Sequence, residues 1–229
     1  MIPLEADKVK LFTIPNIVTL LNLVSGMLAI IFISRNILIS IGLIMLAIFF
    51  DALDGLIARK LKATSLIGKE LDSLADVVSF GVAPAFLLAY NYSSIYFFLS
   101  TIVAVEYVCL GALRLAKFNI VGKKEYFEGT PITSQAAFVS SALIIFHKYL
   151  PLLLTALFSP LMISNFRYPN LKTRKGSRIM LILILGSAIL WILLLILLRI
   201  HNVITILGLY AFLTTLVYFI LGPFLFSNL

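Results

Sequence analysis

Uninterrupted apolar runs of bilayer-spanning length recur along the whole chain and restrict its fold more than any other feature. Eight such segments can be read, at residues 13–34, 37–60, 70–90, 94–118, 133–147, 149–165, 178–199 and 202–226. A run of about twenty apolar residues crosses a bilayer as a helix, whereas the strands of a membrane barrel alternate apolar and polar residues. With 62% apolar and only 12% charged residues, the sequence predicts an all-α integral membrane protein.

The fifth and sixth apolar segments are shorter than the others, and only "HKYLP" (147–151) separates them. This spacing predicts a helical hairpin, with Pro151 in the first turn of its second helix, where the missing N–H costs little. We therefore expect one membrane domain over residues 1–229, with a six-helix core at 12–172 and two further transmembrane helices at 178–226. The first segment is long and no small-residue cleavage site follows it, so no cleavable signal peptide is expected.

Basic residues are distributed unevenly between the predicted loops. With the N-terminus placed inside, only three of the 18 basic residues fall outside: Arg35, Lys148 and Arg199. The others lie before the first segment or around the loops after the second, fourth and sixth: Lys8, Lys10, Arg59, Lys60, Lys62, Lys69, Arg114, Lys117, Lys123, Lys124, Arg167, Lys172, Arg174, Lys175 and Arg178. Such an excess marks cytoplasmic loops, which predicts a multi-pass protein of the cell membrane with a cytoplasmic N-terminus. The net charge of +8 thus reflects topology, and no nucleic-acid partner is expected.

Four aspartates interrupt the apolar pattern in "DALDGLIARKLKATSLIGKELDSLAD" (51–76). Four positions of the second segment share one helix face at i, i+3, i+4 and i+7: Asp51, Asp54, Gly55 and Ala58. Three positions of the next helix share a face at i, i+4 and i+8: Gly68, Asp72 and Asp76. The basic turn between them allows the two faces to meet at the cytoplasmic membrane surface. Four converging carboxylates repel one another, and divalent cations resolve this by supplying countercharge.

An oxygen-only ligand set favours hard cations such as Mg²⁺ or Mn²⁺. Two ions about 3.5–4 Å apart, bridged by shared carboxylates, suit phosphoryl chemistry. Gly55 and Gly68 fit this interpretation, because a residue without a side chain allows close approach of a ligand and otherwise costs about 1 kcal/mol in a helix relative to alanine. The alternative is a surface loop of solvated aspartates, which the apolar neighbours of the motif disfavour.

A divalent-cation transporter is the alternative from a different class of protein. Transporter sites tend to lie near the bilayer midplane at the interface of internal repeats. Here the carboxylates are predicted at one face of the membrane, and no repeat is visible in the sequence.

No imidazole or thiol is predicted at the cytoplasmic site. His147 and His201 are expected at the external ends of their segments, and Cys109 lies mid-membrane. Any proton abstraction at this site must therefore fall to a carboxylate whose neighbours are neutralised by metal.

The aspartate motif resembles a complete family signature. The pattern Asp51-x-x-Asp54-Gly55-x-x-Ala58-Arg59, eight residues, Gly68-x-x-x-Asp72-x-x-x-Asp76 is similar to that of the CDP-alcohol phosphatidyltransferases at all eight fixed positions. The resemblance implies that the four aspartates hold two divalent metals and that the diphosphate of a CDP-lipid bridges them. An acceptor alcohol then attacks the β-phosphorus, CMP leaves, and Asp76 is the general base. The family also implies a homodimer.

Contacts to the CDP-lipid follow from the same resemblance. In "TIPNIVTLLNL" (13–23), which is similar to the first helix of the family, Asn16 and Thr19 lie near the cytoplasmic end. Polar residues at that depth either hydrogen-bond between helices or contact the nucleotide. The residues implied to contact the CDP-lipid are Asn16, Asp54, Gly55, Ala58, Arg59, Gly68 and Asp72.

Four further segments resemble the phosphatidylserine synthases of this family, and the likeness spans residues 12–172. They are "SFGVAPAF" (79–86), "LRLAKFN" (113–119), "FEGTPITSQAAF" (127–138) and "LMISNFRYPNLK" (161–172). In the third, Thr130 and Thr133 depart from the glycine-leucine-proline-x-proline pattern of those enzymes. The resemblance implies transfer of a phosphatidyl group from CDP-diacylglycerol, or from an archaeal CDP-lipid, to L-serine. The alternative within the family is another acceptor, glycerol 3-phosphate or inositol phosphate.

A serine acceptor requires a cation for its carboxylate and oxygen atoms for its ammonium group. Arg114 and Lys117 are candidates for the carboxylate, and ordinary anchoring at the cytoplasmic surface is their alternative role. Glu106 either neutralises a basic neighbour or helps to bind the ammonium group. Four polar residues complete the candidate pocket: Asn119, Thr133, Ser134 and Gln135. The basic loop "RYPNLKTRKGSR" (167–178) either anchors anionic headgroups or holds the phosphate of the CDP-lipid.

Overall fold

The computed structural model describes residues 11–61, 65–94, 96–121, 126–169 and 203–227. The helices in these ranges are α1 (Ile14–Phe32), α2 (Ile37–Lys60), α3 (Leu66–Asp76), α4 (Ala83–Tyr92), α5 (Phe97–Val121), α6 (Ile132–Ile145), α7 (Leu150–Phe158) and α8 (Val203–Ser227). Five continuous helices are long and apolar enough to cross a membrane, with α3 and α4 counting as one, and α6 and α7 are shorter apolar helices. The prediction of an all-α, multi-pass membrane protein is confirmed. The predicted segment at 178–199 lies outside the described residues.

Polar residues ahead of the apolar runs set where the first helices begin. The Thr13 hydroxyl accepts a hydrogen bond from the N–H of Asn16 at the start of α1, and Asn36 accepts two at the start of α2. Ser65 accepts from the N–H of Gly68 at 3.0 Å and caps α3. Such caps satisfy backbone donors that have no partner within the helix. Because of Ser65, α3 begins at Leu66, four residues before the predicted segment.

A π-helical turn at Val77–Val82 joins α3 and α4 into one rod and begins directly after Asp76. The Ser79 hydroxyl in this turn donates to the backbone oxygen of Asn22 in α1 at 3.0 Å. The Tyr107 hydroxyl of α5 donates to the backbone oxygen of Phe80 at 3.0 Å. The turn is therefore held from both sides. Such turns are rare and are often found at functional sites.

A two-stranded antiparallel ribbon, absent from the predictions, connects the loop before α6 to the chain after α7. Strand β1 (Tyr126–Glu128) pairs with β2 (Arg167–Pro169), so that Glu128 lies opposite Arg167. Gly129 follows β1 with a φ of +75°, and a Cβ at this position would overlap the backbone of Met162. A glycine is required here because both the conformation and the space exclude a side chain.

The α6–α7 hairpin is present as predicted, with Pro151 in the first turn of α7. A short 3₁₀ turn at Ser159–Ile163 extends α7 towards β2. The hairpin thus brings the chain back to β1, with which β2 pairs.

Helix α8 packs against the rest of the molecule through a cluster of aromatic side chains. Phe138 of α6 stacks on Phe212 of α8 at 5.0 Å and lies 5.3 Å from Phe219, as measured between ring centroids. Tyr168 of β2 lies 5.2 Å from Tyr218. Burial raises the pKa of Tyr168 to about 12, so its hydroxyl stays protonated and donates to the backbone oxygen of Phe219 at 3.2 Å. Helix α8 thus contacts both α6 and the ribbon. The division into a core at 12–172 and additional helices at 178–226 stays a prediction.

Candidate active site

Three of the four aspartates converge where the C-terminal half of α2 faces α3. Asp51, Asp72 and Asp76 each offer a carboxylate oxygen, and these oxygens lie within 4.8 Å of one another. Asp76 is buried, and the other two are half-buried. The sequence-based prediction that the two helix faces meet is therefore correct for these three residues.

Asp54 lies beside this trio rather than within it. Its side chain is 6% exposed, and its Oδ2 accepts a hydrogen bond from the Thr19 hydroxyl at 2.7 Å. It lies near enough to Asp72 for the two carboxylates to repel each other. The structure therefore places all four aspartates in one region, with Asp54 held by α1.

The donor set fits a hard divalent cation. Carboxylate oxygens within 4.8 Å of one another repel strongly at partial burial, and a bound cation removes that repulsion. Carboxylates alone, without thiol or imidazole, match Mg²⁺ or Mn²⁺. Asp51, Asp72 and Asp76 are the residues that would hold such an ion, and Asp54 is a further carboxylate that interacts with Asp72.

Helix α1 supplies hydrogen bonds to two of these carboxylates. Thr19 donates a hydrogen bond to Asp54 of α2. Of the two roles predicted for Thr19, the structure shows the hydrogen bond between helices. Asn22 Nδ2 donates to Asp76 Oδ1 at 3.3 Å. Asn22 is not among the site residues predicted from the sequence. The available signal was the spacing of Asn16, Thr19 and Asn22 at i, i+3 and i+6, a polar stripe on an otherwise apolar helix.

Asn16 and Gly68 lie against each other at the base of the site. Asn16 Nδ2 donates to the backbone oxygen of Leu11 at 2.8 Å. A Cβ at Gly68 would lie 3.0 Å from Asn16 Oδ1 and 3.1 Å from Ser65 Oγ, so a glycine allows α1 and α3 to approach closely. This contact is a structural reason for the glycine, in addition to the predicted room for a ligand.

The remaining motif positions line the end of α2. Gly55 and Ala58 are half-buried, and Arg59 is exposed. Of the described residues, a Cβ at Gly55 would meet only Arg59 Nη1, at 3.4 Å, so packing against them does not require a glycine there. The predicted contacts of these residues with a CDP-lipid stay predictions.

Arg114 of α5 is buried beside the aspartates. It is 8% exposed, and its guanidinium interacts electrostatically with Asp76 and Asp51. Its Cζ lies 5.8 Å from the centroid of the Phe118 ring. Its Nε has no hydrogen-bond partner among the described residues. A guanidinium in this position faces the site rather than a lipid headgroup.

Lys117 and Asn119, two other candidates for the serine pocket, connect structural elements. Lys117 Nζ forms a salt bridge with Glu128 of β1 at 3.0 Å. Asn119 Nδ2 donates to Ser73 Oγ at 2.9 Å, and its backbone oxygen accepts from Lys69 Nζ at 2.8 Å. These bonds attach the end of α5 to the ribbon and to α3.

The other candidates lie around the start of α6 and the end of α7. Gln135 Nε2 donates to Thr130 Oγ1 at 2.9 Å and to the backbone oxygen of Phe158 at 2.8 Å. Glu106 Oε1 accepts from Ser159 Oγ at 3.2 Å. Thr133 and Ser134 are half-buried in the first turn of α6. Roles for these residues in binding serine stay predictions.

The structure describes one of the two histidines and the cysteine, and the external location of His147 stays a prediction. His147 is exposed just after α6, and Cys109 is exposed in the middle of α5. His201 lies outside the described residues. Within the described ranges, the cluster of possible metal ligands contains aspartates only.

Comparisons with known proteins identify what this arrangement is similar to. Residues 12–165 match the family model described as CDP-alcohol phosphatidyltransferase. The CDP-diacylglycerol–serine O-phosphatidyltransferase of Methanocaldococcus jannaschii is 44% identical over 162 residues, 70% of this chain and 76% of that protein. The Bacillus subtilis protein of the same name is 40% identical over 166 residues, 69% of this chain and 91% of the relative. The archaetidylserine synthase of Methanothermobacter thermautotrophicus is 36% identical over 163 residues, 69% and 70% respectively.

Proposed function

The chain belongs to the CDP-alcohol phosphatidyltransferase family, and we propose that it transfers a phosphatidyl group from a CDP-lipid to L-serine. The products are phosphatidylserine, or its ether-lipid counterpart, and CMP. The observation that carries the proposal is the convergence of Asp51, Asp72 and Asp76, whose carboxylate oxygens lie within 4.8 Å. The names of the relatives support serine as the acceptor.

The proposed reaction is a displacement at the β-phosphorus of the CDP-lipid. The serine hydroxyl oxygen forms a bond to this phosphorus, and the bond from phosphorus to the CMP oxygen breaks. The hydroxyl proton passes to a carboxylate, because the cluster of possible ligands in the described part of the site contains aspartates only. The family resemblance assigns this role to Asp76. CMP leaves with the electron pair of the broken bond.

The four aspartates are proposed to hold two divalent ions. Bound Mg²⁺ or Mn²⁺ supplies positive charge that neutralises the carboxylates and the diphosphate and stabilises the charge that develops on phosphate oxygens. Thr19, through its 2.7 Å bond to Asp54, keeps that carboxylate turned towards α1. Asn16, Gly55, Ala58, Arg59 and Gly68 are proposed to line the path of the nucleotide and diphosphate.

Arg114 is the residue that we propose binds the serine carboxylate. It is buried beside Asp76, and its Nε has no hydrogen-bond partner among the described residues. Lys117 already forms a salt bridge with Glu128, so it is the weaker candidate. Glu106, Asn119, Thr133, Ser134 and Gln135 remain candidates for the wall of the pocket around the ammonium group.

The orientation, the lipid and the assembly belong to the same proposal. The excess of basic residues on one side supports a cell-membrane protein whose N-terminus and active site are cytoplasmic. The relatives are named for a diacylglycerol lipid in some cases and an archaetidyl lipid in another, so both CDP-lipids are candidate substrates. A homodimer is proposed from the family alone.

An acceptor panel with the purified protein tests the proposed function. Protein in detergent is given CDP-diacylglycerol or its archaeal ether analogue, Mg²⁺ or Mn²⁺, and labelled L-serine. Labelled phospholipid and CMP should appear in equal amounts. Incorporation of glycerol 3-phosphate or inositol phosphate instead of serine would reject the acceptor and retain the family reaction. Metal flux into liposomes without CMP release would favour a transporter.

Replacing the proposed base should abolish most of the activity. We expect Asp76→Asn to lower kcat by at least about 10²-fold, since general-base catalysis contributes roughly 10²–10⁴-fold. Glu70→Gln on the exposed face of the same helix is the matched control and should retain wild-type kcat. A wild-type rate in Asp76→Asn would exclude this residue as the base.

A further inference from the structure

The geometry points to Asn22 of α1 as a positioning residue that holds the Asp76 carboxylate in the orientation needed to accept a proton from the attacking hydroxyl. Asn22 is fully buried, and its Nδ2 donates to Asp76 Oδ1 at 3.3 Å. It lies outside the aspartate motif, 54 residues before Asp76 in the chain. The inference rests on the proposed function, because it requires Asp76 to be the base.

The hydrogen bonding of Asn22 is not what stability alone would favour. Its Oδ1 is buried and has no hydrogen-bond partner among the described residues. An unsatisfied buried acceptor costs about 1–3 kcal/mol, whereas an apolar side chain of similar shape carries no such cost. Among the described residues, the side-chain hydrogen bond of Asn22 is the one that it donates to Asp76.

A neutral amide is also the right kind of donor for this carboxylate. The amide N–H₂ donates without accepting, so it restrains the position of Asp76 Oδ1 and opposes rotation of the carboxylate. A lysine or arginine at this position would add a full positive charge and would compete with a divalent cation for the aspartates.

Contacts between α1 and the π-helical turn prevent Asn22 and Asp76 from shifting independently. The backbone oxygen of Asn22 accepts from the Ser79 hydroxyl at 3.0 Å, and Ser79 is three residues after Asp76. One turn further along α1, a Cβ at Gly26 would lie 2.6 Å from the Cα of Ser79, so α1 and the π-helical turn are in close contact. A misplacement of about 1 Å in a reacting group can cost roughly 10²-fold in rate. The Ser79–Asn22 hydrogen bond and the close contact at Gly26 oppose such a shift.

The test compares two variants of Asn22 with a matched control on the same helix. Asn22→Leu removes the donor at similar volume, and Asn22→Ser shortens the side chain so that it no longer reaches Asp76. We expect kcat to fall at least tenfold in both, with the KM for CDP-lipid within twofold of wild type. The Tm of Asn22→Leu should equal or exceed the wild-type value. Ser25→Ala removes a buried hydroxyl whose hydrogen bond among the described residues stays within α1, to the Leu21 oxygen. It should change neither kcat nor Tm.

Two further measurements separate positioning from a general structural role. In an Asp76→Asn background, Asn22→Leu should cause no additional loss of rate, because the residue on which it acts is already gone. In protein without metal or substrate, the infrared carboxylate band that disappears in Asp76→Asn should shift in Asn22→Leu. It should not shift in Ser25→Ala.

The possible outcomes each decide the matter. An unchanged kcat, an additive loss in the double variant, an unshifted carboxylate band, or a kcat that falls together with Tm would overturn the inference. If Asn22→Leu cannot be recovered as a monodisperse protein, Asn22→Ser carries the same comparison. If the wild-type protein releases CMP with another alcohol but not with serine, only the serine proposal is overturned. The Asn22 variants are then compared with that alcohol as the acceptor. A wild-type rate in Asp76→Asn would overturn the base and the Asn22 inference together.

Discussion

Burial differs among the charged side chains at the ends of α2, α3 and α5. Asp76 is 7% exposed and Arg114 is 8% exposed, whereas Arg59 is exposed. A buried charge needs a partner of opposite sign, a hydrogen bond or a metal. Asp76 and Arg114 interact electrostatically, and Asn22 adds a hydrogen bond to the carboxylate. Asp76 and Arg114 therefore form the interior of the site, and Arg59 lies at its edge.

Replacing Arg114 should affect serine more than the CDP-lipid. We expect Arg114→Met to raise the KM for serine at least tenfold, because a hydrogen bond to a charged group contributes about 1.5–3 kcal/mol. The KM for CDP-lipid should stay within about threefold. Steady-state kinetics with each substrate varied in turn measures both constants.

Arg35→Met is the control for the loss of one basic residue, since Arg35 is exposed at the other end of α1 and α2. It should leave both constants unchanged. A larger change in the KM for CDP-lipid than for serine would reassign Arg114 to the diphosphate.

Removal of divalent cations should abolish the activity and lower the stability of the protein. We expect chelator-treated protein to be inactive and to recover on addition of Mg²⁺ or Mn²⁺. A ligand at 100 times its Kd stabilises the folded state by about 2.7 kcal/mol, so Mn²⁺ should raise the Tm. Asp51→Asn should reduce that rise because Asp51 belongs to the trio, and Glu70→Gln should not. Full activity after chelation would contradict a metal site here.

At the scale of the secondary-structure elements, the position of Asp76 at the end of α3 is decided by the turn that follows it. The π-helical turn Val77–Val82 is bonded to α1 through Ser79 and to α5 through Phe80. Both bonds use backbone oxygen atoms as acceptors, so they depend on the spacing of the helices rather than on particular acceptor side chains. The close approach of α1 at Gly26 makes this spacing possible.

A methyl group at Gly26 should disturb this contact. A Cβ there would meet Ser79 Cα at 2.6 Å, and overpacking of this kind costs about 1–3 kcal/mol. We expect Gly26→Ala to lower both the Tm in detergent and the rate of phosphatidyl transfer. Gly42→Ala in α2 is the matched control, because a Cβ there has no atom of the described residues within 4 Å. Alanine is the better helix former by about 1 kcal/mol, so the control should be neutral or slightly stabilising. A Tm in Gly26→Ala equal to that of the control would show that α1 can move away from the turn without cost.

At the scale of the whole molecule, α8 covers aromatic side chains of α6 and of the ribbon. Phe138 of α6 and Tyr168 of β2 are both fully buried, and aromatic side chains of α8 cover them. The family match ends at residue 165, before this helix begins. The part of the chain beyond the match therefore contributes to the packing of α6 and the ribbon, which lie close to the candidate serine pocket.

Loss of an aromatic ring from α8 should destabilise the protein. Phe212 lies 5.0 Å from both Phe138 and Phe146 between ring centroids. Packing contacts are a main source of association between membrane helices. Because each aromatic pair contributes about 0.5–1.5 kcal/mol, we expect the loss of both pairs in Phe212→Ala to cost about 1–3 kcal/mol. The Tm in detergent measures this loss. Leu207→Ala on the exposed face of α8 should leave the Tm unchanged, and a similar fall in both variants would indicate a general effect of altering α8.

The sequence by itself determined the features that depend on local periodicity. Apolar runs of spanning length predicted the helices, and helical spacing predicted that Asp51, Asp72 and Asp76 lie on facing surfaces. The residue types and spacing of the aspartate motif were enough to indicate the family. Each of these follows from residues a few positions apart, whose geometry a helix imposes regardless of its surroundings.

Only the tertiary structure decided which distant residues meet. The bonds from Asn22 to Asp76 and from Lys117 to Glu128 depend on how the helices pack and on the ribbon, whose three-residue strands are too short to show a period. The burial of Arg114 has the same origin, since a basic residue near a helix end is equally compatible with a headgroup anchor. These contacts join segments far apart in the chain, and their pairing is set by the packing of the whole bundle.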